Sequence, residues 1–239
     1  MISTNSFLFS SGMQLPSGLL KLGMTTQAFN GNFFIAFCRL FRLSPVTGSD
    51  DIYGELYFGK NRPKTCKYFD KKGLVMHCSS LSKSLSPGYR IGWALPGKFF
   101  DEVKQMKRMH NISCPTLTQA AIAHFLKNGR FEYHLKNLRK ALHTQSLRYV
   151  QAIIKYFPAD TKVSRPHGGF ILWLELNKKV DAFKLRTEAM KHDIAIVPGK
   201  IFSSSCSYSN CVRISFGKPW NDDVDYGLMT LGKLIKKMI

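Results

Sequence analysis

The run Ser80-Leu81-Ser82-Lys83-Ser84-Leu85-Ser86-Pro87-Gly88-Tyr89-Arg90 sets one lysine among small hydroxyl residues, with an arginine close behind. An aldehyde that carries a phosphate needs two things from a protein: an amine that forms an imine with it, and hydroxyl, backbone N–H and guanidinium donors for the phosphate dianion. Lys83 can supply the first, and Ser80, Ser82 and Arg90 the second. Pro87-Gly88 predicts a turn between lysine and arginine, so the chain can fold back and carry Arg90 toward the ligand that Lys83 reaches. The plain alternative for such a stretch is a solvated surface loop.

Upstream lies Asp50-Asp51-Ile52-Tyr53-Gly54-Glu55-Leu56, where Asp50 and Tyr53 have the separation of a clamp on a pyridine ring. A carboxylate beside a pyridine nitrogen keeps it protonated, and a tyrosine hydroxyl can hydrogen-bond a phenolic ring oxygen; that is the electronic tuning pyridoxal phosphate requires. An acidic turn followed by an aromatic strand residue is the other reading. Downstream, Val212-Arg213-Ile214-Ser215-Phe216 sets one arginine between apolar residues. Its planar guanidinium suits a carboxylate, which it can grip with two parallel bonds. Otherwise Arg213 is the outward residue of an alternating, half-buried strand.

In order along the chain come D-x-x-Y at Asp50 and Tyr53, S-x-S-K-x-x-x-P-G-x-R from Ser80 to Arg90, Pro166-His167-Gly168-Gly169-Phe170-Ile171-Leu172-Trp173, Val197-Pro198-Gly199-Lys200-Ile201-Phe202, and the Val212–Phe216 segment. From about Asp50 to the C-terminus this order resembles the fold-type I pyridoxal-phosphate-dependent aminotransferases of class I/II, particularly the aminotransferase-like domain of MocR-type GntR regulators. The resemblance implies an α/β chain that holds the C-terminal part of the fold-type I transferase fold: a partial large-domain sheet and an α/β small domain. It implies pyridoxal 5'-phosphate as cofactor, with Lys83 as the Schiff-base lysine, Asp50 on the pyridine nitrogen, Tyr53 on the ring oxygen, and Ser80, Ser82 and Arg90 on the phosphate. Arg213 is then the ligand of the substrate α-carboxylate. Family members usually work as homodimers with sites at the interface.

These residues need strands and helices to position them. Leu74–Cys78 and Ile91–Leu95 read as short buried strands flanking the lysine loop, and Lys98–His110 as a charged amphipathic helix. Pro115 suits the first position of a helix that runs to about Asn128, where Gly129 stops it. Apolar residues at Leu135, Leu138, Leu142, Leu147, Val150 and Ile154 predict one long helix over Phe131–Phe157. Further on, Gly169–Leu176 and Val212–Phe216 read as strands, Ile194–Val197 as a strand ending in the Pro198-Gly199 turn, and Ala182–Lys191 and Asn221–Lys237 as helices. Gly168-Gly169 reads as a tight strand-entry turn at least as readily as a ligand contact, Trp173 as core packing, and His167 as a solvated turn residue. The expected organisation is an atypical segment over 1–49, a partial cofactor-binding large domain over 50–128, and a linking helix with a small domain over 129–239.

Residues 1–49 contain no acidic residue and none of the family's glycine-rich phosphate loop, ring-stacking aromatic or N-P-T-G segment; Ser44-Pro45-Val46-Thr47-Gly48 is a faint echo of the last. The expectation is a foreign, shifted or deleted remnant joined to an intact C-terminal part, with unpaired strand edges and apolar faces as the physical result.

At 239 residues and 44% hydrophobic content the chain can bury a substantial core. Its formal charge of +20 attracts phosphates of every kind. Because the lysines are scattered from Lys60 to Lys237, they indicate a solvated basic surface, with nucleic acid bound non-specifically if at all. Cys38, Cys66, Cys78, Cys114, Cys206 and Cys211 form no C-x-x-C pair, which suggests neither a metal site nor a disulfide framework. Reduced thiols, apolar runs too short for a bilayer and no secretory pattern at the N-terminus point to a cytoplasmic chain that engages no membrane.

Three functions follow from these residues. The first is an aminotransferase that moves an amino group between an amino acid and a 2-oxo acid, impaired by the missing half-site. The second is a non-catalytic module, related to the regulators, that senses the cofactor or an amino acid. The third is a degenerate fragment.

Overall fold

In the computed structural model, residues 47–110, 113–204 and 207–239 are described, and most of the atypical N-terminal segment, residues 1–46, lies outside them. The chain divides into two compact units, Met1–Lys136 and Asn137–Ile239.

Among its described residues the first unit has a three-stranded sheet in the order β1-β2-β3: β1 (Thr47–Asp50), β2 (Val75–Ser80) and β3 (Gly92–Leu95). β1 runs parallel to β2, with Asp50 opposite Cys78, and β3 runs antiparallel to β2, with Gly92 opposite Ser80. Between β1 and β2, the buried Asp70 carboxylate accepts the N–H groups of Leu74 and Val75 at 2.9 Å and the Lys67 ammonium at 2.8 Å, which fixes the entry into β2. Two helices follow, α1 (Phe100–His110) and α2 (Thr116–Lys127), and then the long α3 (Arg130–Tyr156). Pro115 is the cap residue just outside α2 rather than its first helical residue; Gly129 takes φ +66, which glycine tolerates without a Cβ clash, and separates α2 from α3. The division into two units falls inside α3, whose 27 residues hold neither glycine nor proline.

In the second unit a four-stranded antiparallel sheet has the order β4-β5-β7-β6, from β4 (Lys162–Val163), β5 (Ile171–Glu175), β6 (Val197–Pro198) and β7 (Cys211–Ser215). Leu172 and Leu174 are fully buried and alternate with half-buried neighbours, as strand pleating requires, while in β7 the fully buried Val212 follows the buried Cys211. Of the strand expected over Ile194–Val197 only Val197 lies in β6, which Pro198, expected in the turn, completes; the residues before it stay in a turn with its own bonds, Asp193 left-handed at φ 58 and the Ile194 N–H donating to Ala189. α4 (Ala182–Met190) starts at Asp181, whose carboxylate accepts the N–H groups of Phe183 and Lys184. α5 (Asp222–Lys237) starts at Asn221, has Asp222, Asp223 and Asp225 in its first turn and ends on Lys236 and Lys237, a charge order that complements the helix dipole. Among the described residues no helix is long and apolar enough to cross a membrane.

Candidate functional site

β1 and β2 are parallel, so their C-terminal ends lie at the same sheet edge, and antiparallel β3 begins there. Asp50 is the last residue of β1, Ser80 the last of β2, and Arg90 stands two residues before the start of β3. Sequence-distant candidates are thus gathered at one end of the first sheet, where open α/β sheets hold ligands beyond the carboxyl ends of parallel strands.

The lysine loop leaves β2 in a tight turn: the N–H groups of Leu85 and Ser86 both donate to the Leu81 carbonyl, at 2.8 and 3.0 Å. Leu81 anchors it in a buried cluster with Ile91 and Ile122, against which Leu85, Trp93 and Phe131 pack. A hydrogen bond of 3.1 Å from the Leu81 N–H to the Ile91 carbonyl ties the loop to the entrance of β3. His134, near the start of α3, meets the Ser84 carbonyl at 2.8 Å through Nε2. Lys83 is half-buried on this anchored turn, while Ser80 and Ser82 are buried. The Ser80 hydroxyl accepts the Ser82 N–H at 3.3 Å. Among the described residues the buried Ser82 Oγ has no hydrogen-bond partner, which costs about 1–3 kcal/mol unless a ligand satisfies it. A phosphate oxygen is a fitting acceptor for that hydroxyl.

The expected turn is a short 3-10 helix, Pro87–Tyr89, capped by the Ser86 hydroxyl on the Gly88 N–H. Arg90 ends it in the left-handed region at φ 53, and its Nη1 donates to the Pro87 carbonyl at 3.1 Å. Arg90 therefore reaches the right end of the sheet with its guanidinium held in its own loop, not on Ser80 or Ser82.

The Asp50–Tyr53 turn is latched to β2 through Asp51: its N–H donates to the Cys78 carbonyl at 2.9 Å and its carbonyl accepts the Ser79 hydroxyl at 3.0 Å. The Asp51 carboxylate is bound by Arg62, which also reaches Glu55 at 2.9 Å. Tyr53 lies half-buried in this turn rather than on a strand. Asp50 is exposed as a residue, yet enough protein surrounds its carboxyl for desolvation to raise its pKa above the ordinary aspartate value; the Ile52 N–H opposes the rise, and Asp51 adds to it. Burial, with the Asp50 charge beside it, pushes the Cys78 thiol up to about 12. Burial likewise pushes the His77 imidazole down despite the Asp51 carboxylate 3.9 Å away. Sequence reading passed over His77; a histidine in a strand carries no signal of its partners.

In the second unit Arg213 is half-buried at the centre of β7, opposite Trp173 of β5 and Val197 of β6. Its guanidinium carbon lies 4.9 Å from the Phe202 ring centroid. Among the described residues this guanidinium makes no hydrogen bond or ion pair. Trp173, expected in the core, is half-buried and meets Phe202 and Tyr208 edge-on, with centroids 5.9 and 5.6 Å away. Gly169 takes φ 75 just ahead of β5, the geometry of a tight strand-entry turn.

The sequence pattern of the family described as Aminotransferase class I and II matches residues 44–230. Over 190 residues the chain is 37% identical to the uncharacterized HTH-type transcriptional regulator YdcR of Escherichia coli, covering 80% of this chain and 41% of that protein. It is 32% identical over 188 residues to an uncharacterized aminotransferase of Saccharolobus solfataricus, covering 78% of this chain and 47% of that one. The crystal structure of LysN, an alpha-aminoadipate aminotransferase of Thermus thermophilus complexed with N-(5'-phosphopyridoxyl)-L-leucine, superposes with a TM-score of 0.75 at 27% identity, over 87% of this chain and 54% of that one. The chain spans about half the length of the relatives it matches. Its fold is part of the α/β architecture of these transferases, whose cofactor is pyridoxal phosphate.

Proposed function

Because this chain belongs to the class I and II aminotransferase family, we propose that it carries the lysine half of a pyridoxal-phosphate site and acts in amino-group transfer between an amino acid and a 2-oxo acid. The observation that carries the reading is the gathering of Asp50, Ser80, Ser82, Lys83 and Arg90 at one sheet end, with the buried Ser82 hydroxyl unsatisfied there. When bound, the cofactor supplies an electron sink for the bond that breaks at the substrate Cα. Lys83 Nζ would hold the aldehyde as an imine and, once freed by the substrate amine, would act as the general base that accepts the proton from the substrate Cα and as the general acid that gives it back. Ser80 and Ser82 donate to the phosphate, and Arg90 neutralises it once its side chain leaves the Pro87 carbonyl. Asp50 would keep the ring nitrogen protonated, its carboxylate serving as the counter-charge. Tyr53 binds the ring oxygen and Arg213 the α-carboxylate. Two copies form the working dimer; exposed apolar residues of the first unit, among them Tyr68, Phe69 and Leu117, support an association of this kind.

The test is reduction with borohydride after adding pyridoxal phosphate to the purified chain, followed by peptide mapping. The expected outcome is stoichiometric labelling confined to Lys83 and lost in Lys83→Ala. Labelling spread over many lysines and unchanged in the variant would overturn the reading. A second reading is favoured by the 37% identity to an HTH-type regulator: the site binds the cofactor or an amino acid as a signal, without turnover. Lys83 labelling with no transamination of any amino acid separates it from the first.

A further inference from the structure

A guanidinium on an apolar strand has to be held in place by something. A neighbouring Asp or Glu would do so by occupying its N–H donors, and a carboxylate ligand would then have to compete for them. Arg213 is held differently. Phe202 presents its ring 4.9 Å from the guanidinium carbon, within the range of a cation–π contact. Trp173, directly across the β5–β7 ladder from Arg213, supports Phe202 with an edge contact at 5.9 Å. Trp173 is itself pinned by two bonds to Ser164: its N–H donates to the Ser164 hydroxyl at 2.9 Å, and its carbonyl accepts the Ser164 N–H at 2.8 Å. Tyr208, in the left-handed region at φ 65, closes on the other ring contact of Trp173 at 5.6 Å.

The backbone explains how Phe202 reaches this position. It ends the 3-10 turn Gly199–Phe202, and a Cβ on Gly199 would lie 2.9 Å from the Tyr208 carbonyl oxygen and 3.0 Å from that of Cys211. Only a residue without a side chain lets the turn sit this close to the start of β7. Phe202 is 48% exposed, so hydrophobic burial alone gives little reason for its place.

We propose that Phe202, supported by Trp173, is a positioning residue: it holds the Arg213 guanidinium through its ring while leaving the N–H donors available to a monocarboxylate. This rests on the carboxylate role of Arg213 proposed above. The test titrates pyruvate into the full chain labelled with 15N-arginine and follows the Arg213 Nε–Hε resonance, assigned through Arg213→Lys. In Phe202→Leu the resonance of the unliganded chain shifts as the ring current is lost, and pyruvate affinity falls about three- to tenfold, the size of a partly exposed cation–π contact. Phe202→Tyr, which keeps the ring, restores both. Phe202→Leu behaving as the parent chain, or Phe202→Tyr failing like Phe202→Leu, overturns the proposal. Pyruvate binding that survives Arg213→Lys, or is absent from the parent chain, defeats the carboxylate role of Arg213 itself, and a loss confined to Arg213→Lys leaves that role standing while removing Phe202 from it.

Discussion

Asp50, at the end of β1, ties the stability of this protein to pH. Its carboxyl is raised above the ordinary aspartate value by desolvation, so in the free chain its ionised form is disfavoured relative to the unfolded state. A carboxylate whose folded pKa is raised contributes stability that is fully present below the unfolded pKa, near 3.8, and lost as pH rises through the folded value. At neutral pH the ionised Asp50 is therefore a destabilising charge. Asp50→Asn is expected to raise the midpoint of thermal unfolding of the cofactor-free chain at pH 7, with the difference shrinking toward pH 3. An Asn variant that is less stable than the parent at pH 7 would show that the carboxylate is held by favourable partners instead. If Asp50 has the role proposed for it on the ring nitrogen, Asp50→Asn is expected to weaken cofactor binding, since an amide supplies no counter-charge.

Among the elements, α5 offers a comparison within one helix. Glycine inside a helix ordinarily costs up to about 1 kcal/mol relative to alanine, and α5 contains Gly227 and Gly232. A Cβ at Gly232 would sit 2.5 Å from the Tyr156 carbonyl oxygen of α3 and 2.9 Å from its carbonyl carbon, backbone atoms that cannot rotate away. The same two helices are joined where the Tyr156 hydroxyl donates to the Asp225 carboxylate at 2.9 Å. At Gly227 a Cβ would meet only the Ile194 side chain, at an ordinary 3.9 Å. Gly232→Ala is expected to lower stability by about 1–3 kcal/mol, the usual cost of overpacking, against a propensity gain too small to offset it. Gly227→Ala is expected to be neutral or stabilising. Urea midpoints at unchanged slope decide between the two; equal gains at both positions would mean that α3 and α5 do not pack as closely as described.

At the scale of the molecule the dominant feature is charge: 35 Lys and Arg against 15 Asp and Glu. The described ion pairs use few of these cations, and Arg62 and Lys67 are spent on local latches in the first unit. A chain so basic attracts polyanions by counterion release, an interaction that falls steeply with salt and takes little account of sequence. Binding to random duplex DNA is expected at low ionic strength, lost in moderate salt and identical in Lys83→Ala, as measured by fluorescence anisotropy. Salt-resistant binding, or binding that needs Lys83, would mean a dedicated site.

The sequence by itself determined the helices, the longer strands and the chemistry of the candidates, because spacing, turn residues and side-chain type are local properties, but it gave no sign of the two-residue β4. The run from Ser80 to Arg90 specified a lysine on a turn between two strands, and the apolar spacing after Phe131 specified α3. Element ends were less legible: β6 is cut short by the turn at Asp193 and by hydrogen bonds that strand propensity does not encode. What only the tertiary structure decided are the pairings between distant residues. Parallel pairing of β1 and β2 puts Asp50 at the same edge as Lys83, burial leaves the Ser82 hydroxyl without a partner among the described residues, and the β5–β7 register sets Trp173 beside Arg213. These depend on strand order and register, which follow from the total burial of apolar faces across the chain and not from any one segment.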